Sequence, residues 1–254
     1  CRYGYIAYPN EEISATNCHP ESEKARFLDQ LKALSQDIYL FAVIWAVGGS
    51  ISEKYRDRFS DFIKQLVPRS RIPKTGSVFE YYIDVKQGFW KKWDGKVGDF
   101  NFSVDSAYFQ LLVPTIDTAT FSFLMELQIK LNHSVFFTGV TGVGKSIIAA
   151  DVFQSMKEKS GAIPVAINFS AQTGSRQVQE TIESKLEKKR KNLLGGPLGK
   201  QVIIFIDDVN MPAVEQFGAQ PPIELLRQFQ DMKGFYDRDK LFWKSITDVT
   251  VCCG

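Results

Sequence analysis

The octapeptide Gly139-Val140-Thr141-Gly142-Val143-Gly144-Lys145-Ser146 follows the apolar run Ser134-Val135-Phe136-Phe137-Thr138 and fits the phosphate-cradling pattern G-x-x-x-x-G-K-[ST]. A triphosphate carries several negative charges, so its site needs main-chain N–H groups that converge on the phosphates. Glycines let the backbone approach closely through φ values closed to other residues. Gly139, Gly142 and Gly144 meet that need. Lys145 is placed to reach the β and γ phosphates as a mobile point charge, and the Ser146 hydroxyl to take one position on Mg²⁺. Ile148, Ala149, Val152 and Phe153 then recur with the spacing of one helical face. The motif therefore lies between a strand and a helix, whose positive N-terminal end adds to the site.

A second element belongs to the same chemistry. The run Val202-Ile203-Ile204-Phe205-Ile206 lacks alternation, as expected of a central strand covered on both faces, and it ends on Asp207 and Asp208. Ligands of open α/β sheets sit beyond the carboxyl ends of the strands, which directs these carboxylates toward the phosphates. Asp207 is read as the residue that orients Mg²⁺ and its waters, and Asp208 as the catalytic group that positions or polarises the attacking water. The competing reading is a surface Asp pair that caps the turn Asn210-Met211-Pro212.

Working outward, strand and helix signals alternate over Ser134 to Thr138, a helix from Lys145, Val165 to Phe169, a helix from about Arg176 to Asn192, and Gln201 to Asp207. That rhythm predicts an α/β fold, a parallel sheet with flanking helices. Upstream, Leu28, Leu31, Leu34, Ile38, Phe41, Ile44 and Trp45 mark a helix closed by Gly48-Gly49, and Phe59, Phe62, Ile63 and Leu66 a second. Phe79, Tyr81 and Ile83, a turn at Gly88 and a return over Phe89 to Trp93 predict a half-buried hairpin. The expected organisation is thus a loop or truncated element at 1–20, a small helical domain at 21–67, a β-hairpin junction at 68–110 and an α/β domain at 111–254. The chain opens without Met, and Asp248 to Gly254 reads as a strand on which it stops, as expected of a segment of a longer protein.

With 31 Lys and Arg against 29 Asp and Glu, the net charge of +2 supplies no long-range field to attract nucleic acid or an anionic membrane. The longest uninterrupted apolar stretch, Ile38 to Val47, is too short for a span. The basic cluster Lys185, Lys188, Lys189, Arg190 and Lys191 falls where a helix should end and is read as a solvated last turn that complements the helix dipole. Cys1, Cys18, Cys252 and Cys253 form no C-x-x-C pair, and with His19 and His133 they make no metal site; reduced cysteines in a reducing, intracellular compartment are expected.

The phosphate loop, Phe205-Ile206-Asp207-Asp208-Val209-Asn210-Met211-Pro212 and Gln220-Pro221-Pro222-Ile223-Glu224-Leu225-Leu226-Arg227-Gln228 resemble the third AAA+ module of an axonemal dynein heavy chain. Leu112-Val113-Pro114-Thr115-Ile116-Asp117-Thr118 is similar to the segment that leads such modules. Phe41 to Gly49 resembles the helical lid of the preceding module. The resemblance implies a P-loop NTPase of the AAA+ class, one of six ring modules that convert ATP binding and hydrolysis into movement along microtubules in cilia and flagella. It implies ATP or ADP with Mg²⁺ as cofactors, Val113 and Pro114 bordering adenine, Gly139 to Ser146 on the phosphates, Asp207 on the metal and Asp208 as the catalytic carboxylate. It further implies the neighbouring AAA+ modules and dynein intermediate and light chains as partners, microtubules contacted through parts beyond this chain, and a place in the cytoplasm, cytoskeleton and axoneme. The arginine finger, sensor and stalk of the family would fall beyond Gly254.

Many relatives of this pattern carry Asp-Glu where this chain has Asp207-Asp208. The shorter side chain draws the second carboxylate back by about 1.5 Å, one C–C bond, and a displacement of that size can cost on the order of a hundredfold in rate. A hydrolysing motor module and a regulatory module that holds nucleotide with little turnover therefore both fit, beside an unrelated AAA+ remodelling ATPase or a P-loop kinase.

Overall fold

The computed structural model describes residues 20–100, 113–140 and 142–254, with side chains from residue 29 onward. Of the expected loop or truncated element at residues 1–20 only Pro20 is described, and it opens a helix; the rest of it, residues 101–110 of the expected junction, Leu112 and Thr141 lie outside the described residues. The chain divides into two compact units, 1–95 and 96–254.

The first unit contains helices α1 (Pro20–Gly48) and α2 (Glu53–Leu66) and the antiparallel pair β1 (Tyr81–Asp84) and β2 (Phe89–Lys92). In α1 the buried stripe runs through Asp37, Phe41, Ile44 and Gly48, while Ile38, expected inside, is exposed. Asp37 enters the core because the Arg71 guanidinium pairs with its carboxylate, and a buried charge is tolerated only when paired. The stretch Asp29–Gly48 reaches the length and mean hydropathy, 1.3, of a membrane span by composition alone, contrary to the expectation from uninterrupted apolar length. Its stripe nonetheless packs on protein: Phe41 meets Trp45, Trp90 and Trp93, and Trp45 meets Phe79 edge-on at 5.4 Å between ring centroids. A Cβ at Gly48 would lie 2.6 Å from the Phe79 ring, so that position requires glycine.

The hairpin is more buried than its alternation predicts. Tyr81, Tyr82 and Ile83 are all inside, Tyr82 stacks on Trp93 at 4.9 Å, and the Trp93 indole N–H donates to the Phe79 carbonyl at 2.9 Å. The aromatic density of this segment is core packing.

The second unit is built on a four-stranded parallel sheet of order β3-β10-β7-β4, with β3 (Val135–Phe136), β4 (Ile163–Asn168), β7 (Val202–Asp207) and β10 (Val249–Cys253). Successive β7 residues serve opposite faces. Ile203 and Phe205 join Met125 and Ile129 of α3 (Ile116–Lys130) and Ala149, Val152, Phe153 and Met156 of α4 (Lys145–Ser160). Val202, Ile204 and Ile206 join Val178 and Ile182 of α5 (Ser175–Glu183) and Leu225, Leu226 and Phe229 of α6 (Pro221–Met232). A strand covered on both faces needs apolar residues at every position, which is why β7 shows no alternation.

One prediction fails here. The helix expected over Arg176 to Asn192 ends at Glu183, and Glu187–Arg190 forms β5, paired antiparallel with β6 (Leu193–Gly195) across a bulge between Lys188 and Arg190. With β8 (Gly234–Tyr236) and β9 (Trp243–Thr247), these strands make a second sheet of order β5-β6-β9-β8. Lys188, Lys189 and Arg190 of the basic cluster therefore lie on an edge strand, with Lys185 and Lys191 in the flanking turns. The helical reading failed because Leu186 and Leu194 pack onto the core as flanks of a hairpin, and their partner strand β9 lies some fifty residues downstream.

Candidate functional site

Around the phosphate loop the local backbone follows from its glycines. Gly142 and Gly144 adopt φ of 87° and 84°, in the left-handed region, and no atom lies within 4 Å of where a Cβ would stand at either. Glycine is needed there for its torsion, since space would admit a methyl group. Gly144 is the N-cap of α4 and brings no capping side chain, so the first amides of the helix, from Lys145 on, keep their donors for other acceptors. The Ile148 N–H makes the first helical bond, to the Gly144 carbonyl at 3.0 Å.

Lys145 and Ser146 are half-buried, and Val140 and Val143 are exposed. The Lys145 ammonium folds across the loop and donates to the carbonyls of Gly139 and Val140, each at 3.1 Å. Gly139 lies in the mouth of this fold, where an added Cβ would stand 3.5 Å from Val143 Cγ2 and 4.0 Å from Lys145 Cδ.

Asp207 is the last residue of β7. The parallel register aligns Phe136 with Cys253 and Cys253 with Ile206. The loop after β3 and the carboxylates after β7 thus leave the same edge of the sheet with β10 between them, roughly 10 Å apart at two strand spacings. Asp207 Oδ1 accepts the backbone N–H of Asp208 at 3.1 Å, and a Cβ at Gly254 would lie 3.3 Å from that oxygen. Asp208 is exposed, has φ of 54°, and its carbonyl accepts the Met211 N–H at 3.0 Å. The Asp pair thus both ends a central strand and closes a turn.

Val113 and Pro114 directly precede Thr115, the N-cap of α3, which accepts the Thr118 N–H while Thr118 bonds back to the Thr115 N–H. The far end of α3 is held at the opposite sheet edge, where the Gln201 amide nitrogen shares its two N–H groups among Ile129 O, Asn132 Oδ1 and Thr250 Oγ1, each at 2.9 Å. A helix of about 22 Å packed on α4 brings its start back toward the edge that carries the phosphate loop.

One residue at this edge escaped the sequence reading. Asn168, the last residue of β4, is in register with Asp207, and only strand pairing places a polar side chain there. The two cysteines of β10 carry no such chemistry. Burial pushes the Cys252 thiol up to about 12 and the Cys253 thiol up to about 11, so both stay protonated. Among the described residues no cluster of three or more His, Cys, Asp or Glu side chains forms a metal site. The donors present around Asp207 and Ser146 are too few to hold Mg²⁺ alone. They suit a metal that keeps most of its shell as water and phosphate oxygen.

A parallel sheet with helices on both faces, a glycine-lysine loop opening a helix at its carboxyl edge and an Asp-terminated central strand define a P-loop NTPase module of the AAA+ class. Comparison with known families makes this narrower. The family described as the P-loop containing dynein motor region matches residues 100–254, and the dynein heavy chain AAA lid domain matches residues 12–95. The chain belongs to the dynein heavy chain family. It is 46% identical over 225 residues to dynein axonemal heavy chain 6 of Homo sapiens, covering 87% of this chain and 5% of that protein. It is 39% identical over 219 residues to Homo sapiens dynein axonemal heavy chain 12 (80% and 7%). It is also 37% identical over 212 residues to the dynein-1-beta heavy chain of the flagellar inner arm I1 complex of Chlamydomonas reinhardtii (83% and 5%). The chain spans only 5% to 7% of the length of these relatives.

Proposed function

We propose that residues 139–146 bind the phosphates of ATP or ADP and that Asp207, with Ser146, holds the accompanying Mg²⁺. The observation that carries this reading is the pair of left-handed glycines, Gly142 and Gly144, which open α4 at the sheet edge where β7 delivers Asp207. Bound phosphate would draw the Lys145 ammonium off the Gly139 and Val140 carbonyls and accept the free amides at the start of α4. Val113 and Pro114 would border the adenine. Asp207 and Ser146 would hold and orient the metal, which when bound would supply positive charge against that of the phosphates.

Within a heavy chain, this module would act with neighbouring AAA+ modules of the same polypeptide, nucleotide state shifting the ring between conformations that bind it with different affinity. Intermediate and light chains, microtubules reached through other parts, and a ciliary or flagellar axoneme follow as proposals from the relatives' names.

Two readings of turnover separate at Asp208. Its carboxylate, on an exposed left-handed residue, is one bond shorter than glutamate, which favours a regulatory site with slow hydrolysis. Asp208 as the catalytic group makes it a hydrolysing one. Lys145→Ala in the full heavy chain should abolish nucleotide retention at this site, and normal retention would end the phosphate assignment. Asp208→Asn should slow turnover at this site if Asp208 acts on water and leave it unchanged if the site is regulatory.

A further inference from the structure

We propose that the outer edge of β5 is a docking site for an acidic, extended peptide segment, which adds to the second sheet as a further strand. Three observations converge on it. First, β5 ends the order β5-β6-β9-β8, so one side of its backbone has no strand partner among the described residues. Such an edge offers N–H and C=O groups to any extended chain.

Second, the edge is cationic. Lys185, Lys188, Lys189, Arg190 and Lys191 face one carboxylate, Glu187, so this stretch carries +4 while the other residues together carry −2 of the chain's net +2. The four residues of β5 span about 13 Å, Lys185 and Lys191 flank them in turns, and neighbouring cations lie well inside a Debye length of about 8 Å, so they act as one field. Glu187 to Lys191 are all exposed, and none of the five cations takes part in an ion pair among the described residues.

Third, the edge is held in place. Leu186 and Leu194 pack on the core, and the Ser245 N–H donates to the Asn192 carbonyl at 2.9 Å. The bulge lays the Lys189 stem beside Gly195, where a Cβ would stand 3.2 Å from Lys189 Cε. It breaks the two-residue alternation that would otherwise divide the cations evenly between faces.

Helix-dipole compensation no longer accounts for Lys188 to Lys191, because α5 ends at Glu183 and only Lys185 stays beside its last turn. Edge lysines do repel a second copy of the same strand. By that same charge they select a partner of opposite sign. A peptide is favoured over nucleic acid because residues 185–200 contain no aromatic side chain on which a base could stack.

The test uses the full chain and a labelled peptide of alternating Glu and Val, about eight residues long. Binding should weaken with salt. Combining Lys188→Glu, Lys189→Glu and Arg190→Glu should lower affinity by about tenfold or more. Saturating peptide should slow amide exchange along residues 187–190 in the unmodified chain by about tenfold or more. If charge reversal unfolds the hairpin, the corresponding glutamine variants should show the same ordering. Binding indifferent to charge reversal, or unchanged exchange along β5, would overturn the proposal. Tighter binding of a single-stranded RNA of equal charge would reassign the edge to nucleic acid.

Discussion

The backbone N–H of Phe137 donates to the carbonyl of Cys253 at 2.9 Å, which fastens the last residues before the phosphate loop to the strand that also pairs with β7. Through that one intervening strand, the loop and Asp207 share a rigid frame. Movement of either relative to the other requires β10 to shift.

Glycine substitutions in the loop should therefore act through torsion. Gly142→Ala and Gly144→Ala each place a methyl group in open space at φ near 85°, and each should cost about 1–2 kcal/mol of stability. Thermal unfolding measures the cost, and nucleotide titration should show a parallel loss of affinity. A variant that binds nucleotide normally would contradict the cradle.

At Asp208 the ordering of variants separates backbone from side chain. With φ of 54°, Asp208→Ala should destabilise by about 1 kcal/mol while Asp208→Gly does not. Asp208→Glu should raise turnover at this site in the full heavy chain if the short carboxylate limits it. Denaturant unfolding and single-turnover hydrolysis check the two claims separately.

Buried Gln179 joins three elements. Its amide donates to Glu183 Oε1 and to the Tyr236 carbonyl, each at 2.8 Å, and its oxygen accepts Arg238 Nε at 2.9 Å. Gln179→Leu should cost about 1–3 kcal/mol, because it strands the Tyr236 carbonyl and the Arg238 donor. Arg238→Met should cost less when made on top of Gln179→Leu than when made alone, and a double-mutant cycle on unfolding free energy measures that coupling.

The thiols of β10 give a pH dependence of definite sign. Folding raises their values from 9.0 to about 12 and about 11, so the unfolded chain loses these protons first as pH rises. Their contribution is fully present below pH 9.0 and is lost progressively as pH climbs toward the folded values. Stability against pH should fall less steeply in a Cys252→Ala, Cys253→Ala variant over that range. Alkylation of the native protein at pH 8 should likewise be slow and accelerate on unfolding.

Much of this was legible in local sequence. The torsions of Gly142 and Gly144, the apolar face of α4 and the uniform burial of β7 each follow from a few adjacent residues, and the structure places them as the pattern requires. The failures share a cause. Lys185 to Lys191 read as helix because charge and length match a helical end, whereas β6 and β9 capture that segment as a strand from far along the chain. Ile38 read as core because apolar spacing cannot reveal that Arg71 makes Asp37 the better inward residue.

Sequence alone determined the left-handed glycine loop and the buried strand on which the proposed site rests, because both are set by steric and hydrophobic preferences acting over fewer than ten residues. Tertiary structure decided how those pieces are arranged. It set β10 between β3 and β7, placed Asn168 in register with Asp207, and exposed the basic edge of β5. Strand order and register arise from hydrogen bonds between segments distant in the chain, and no local preference encodes them.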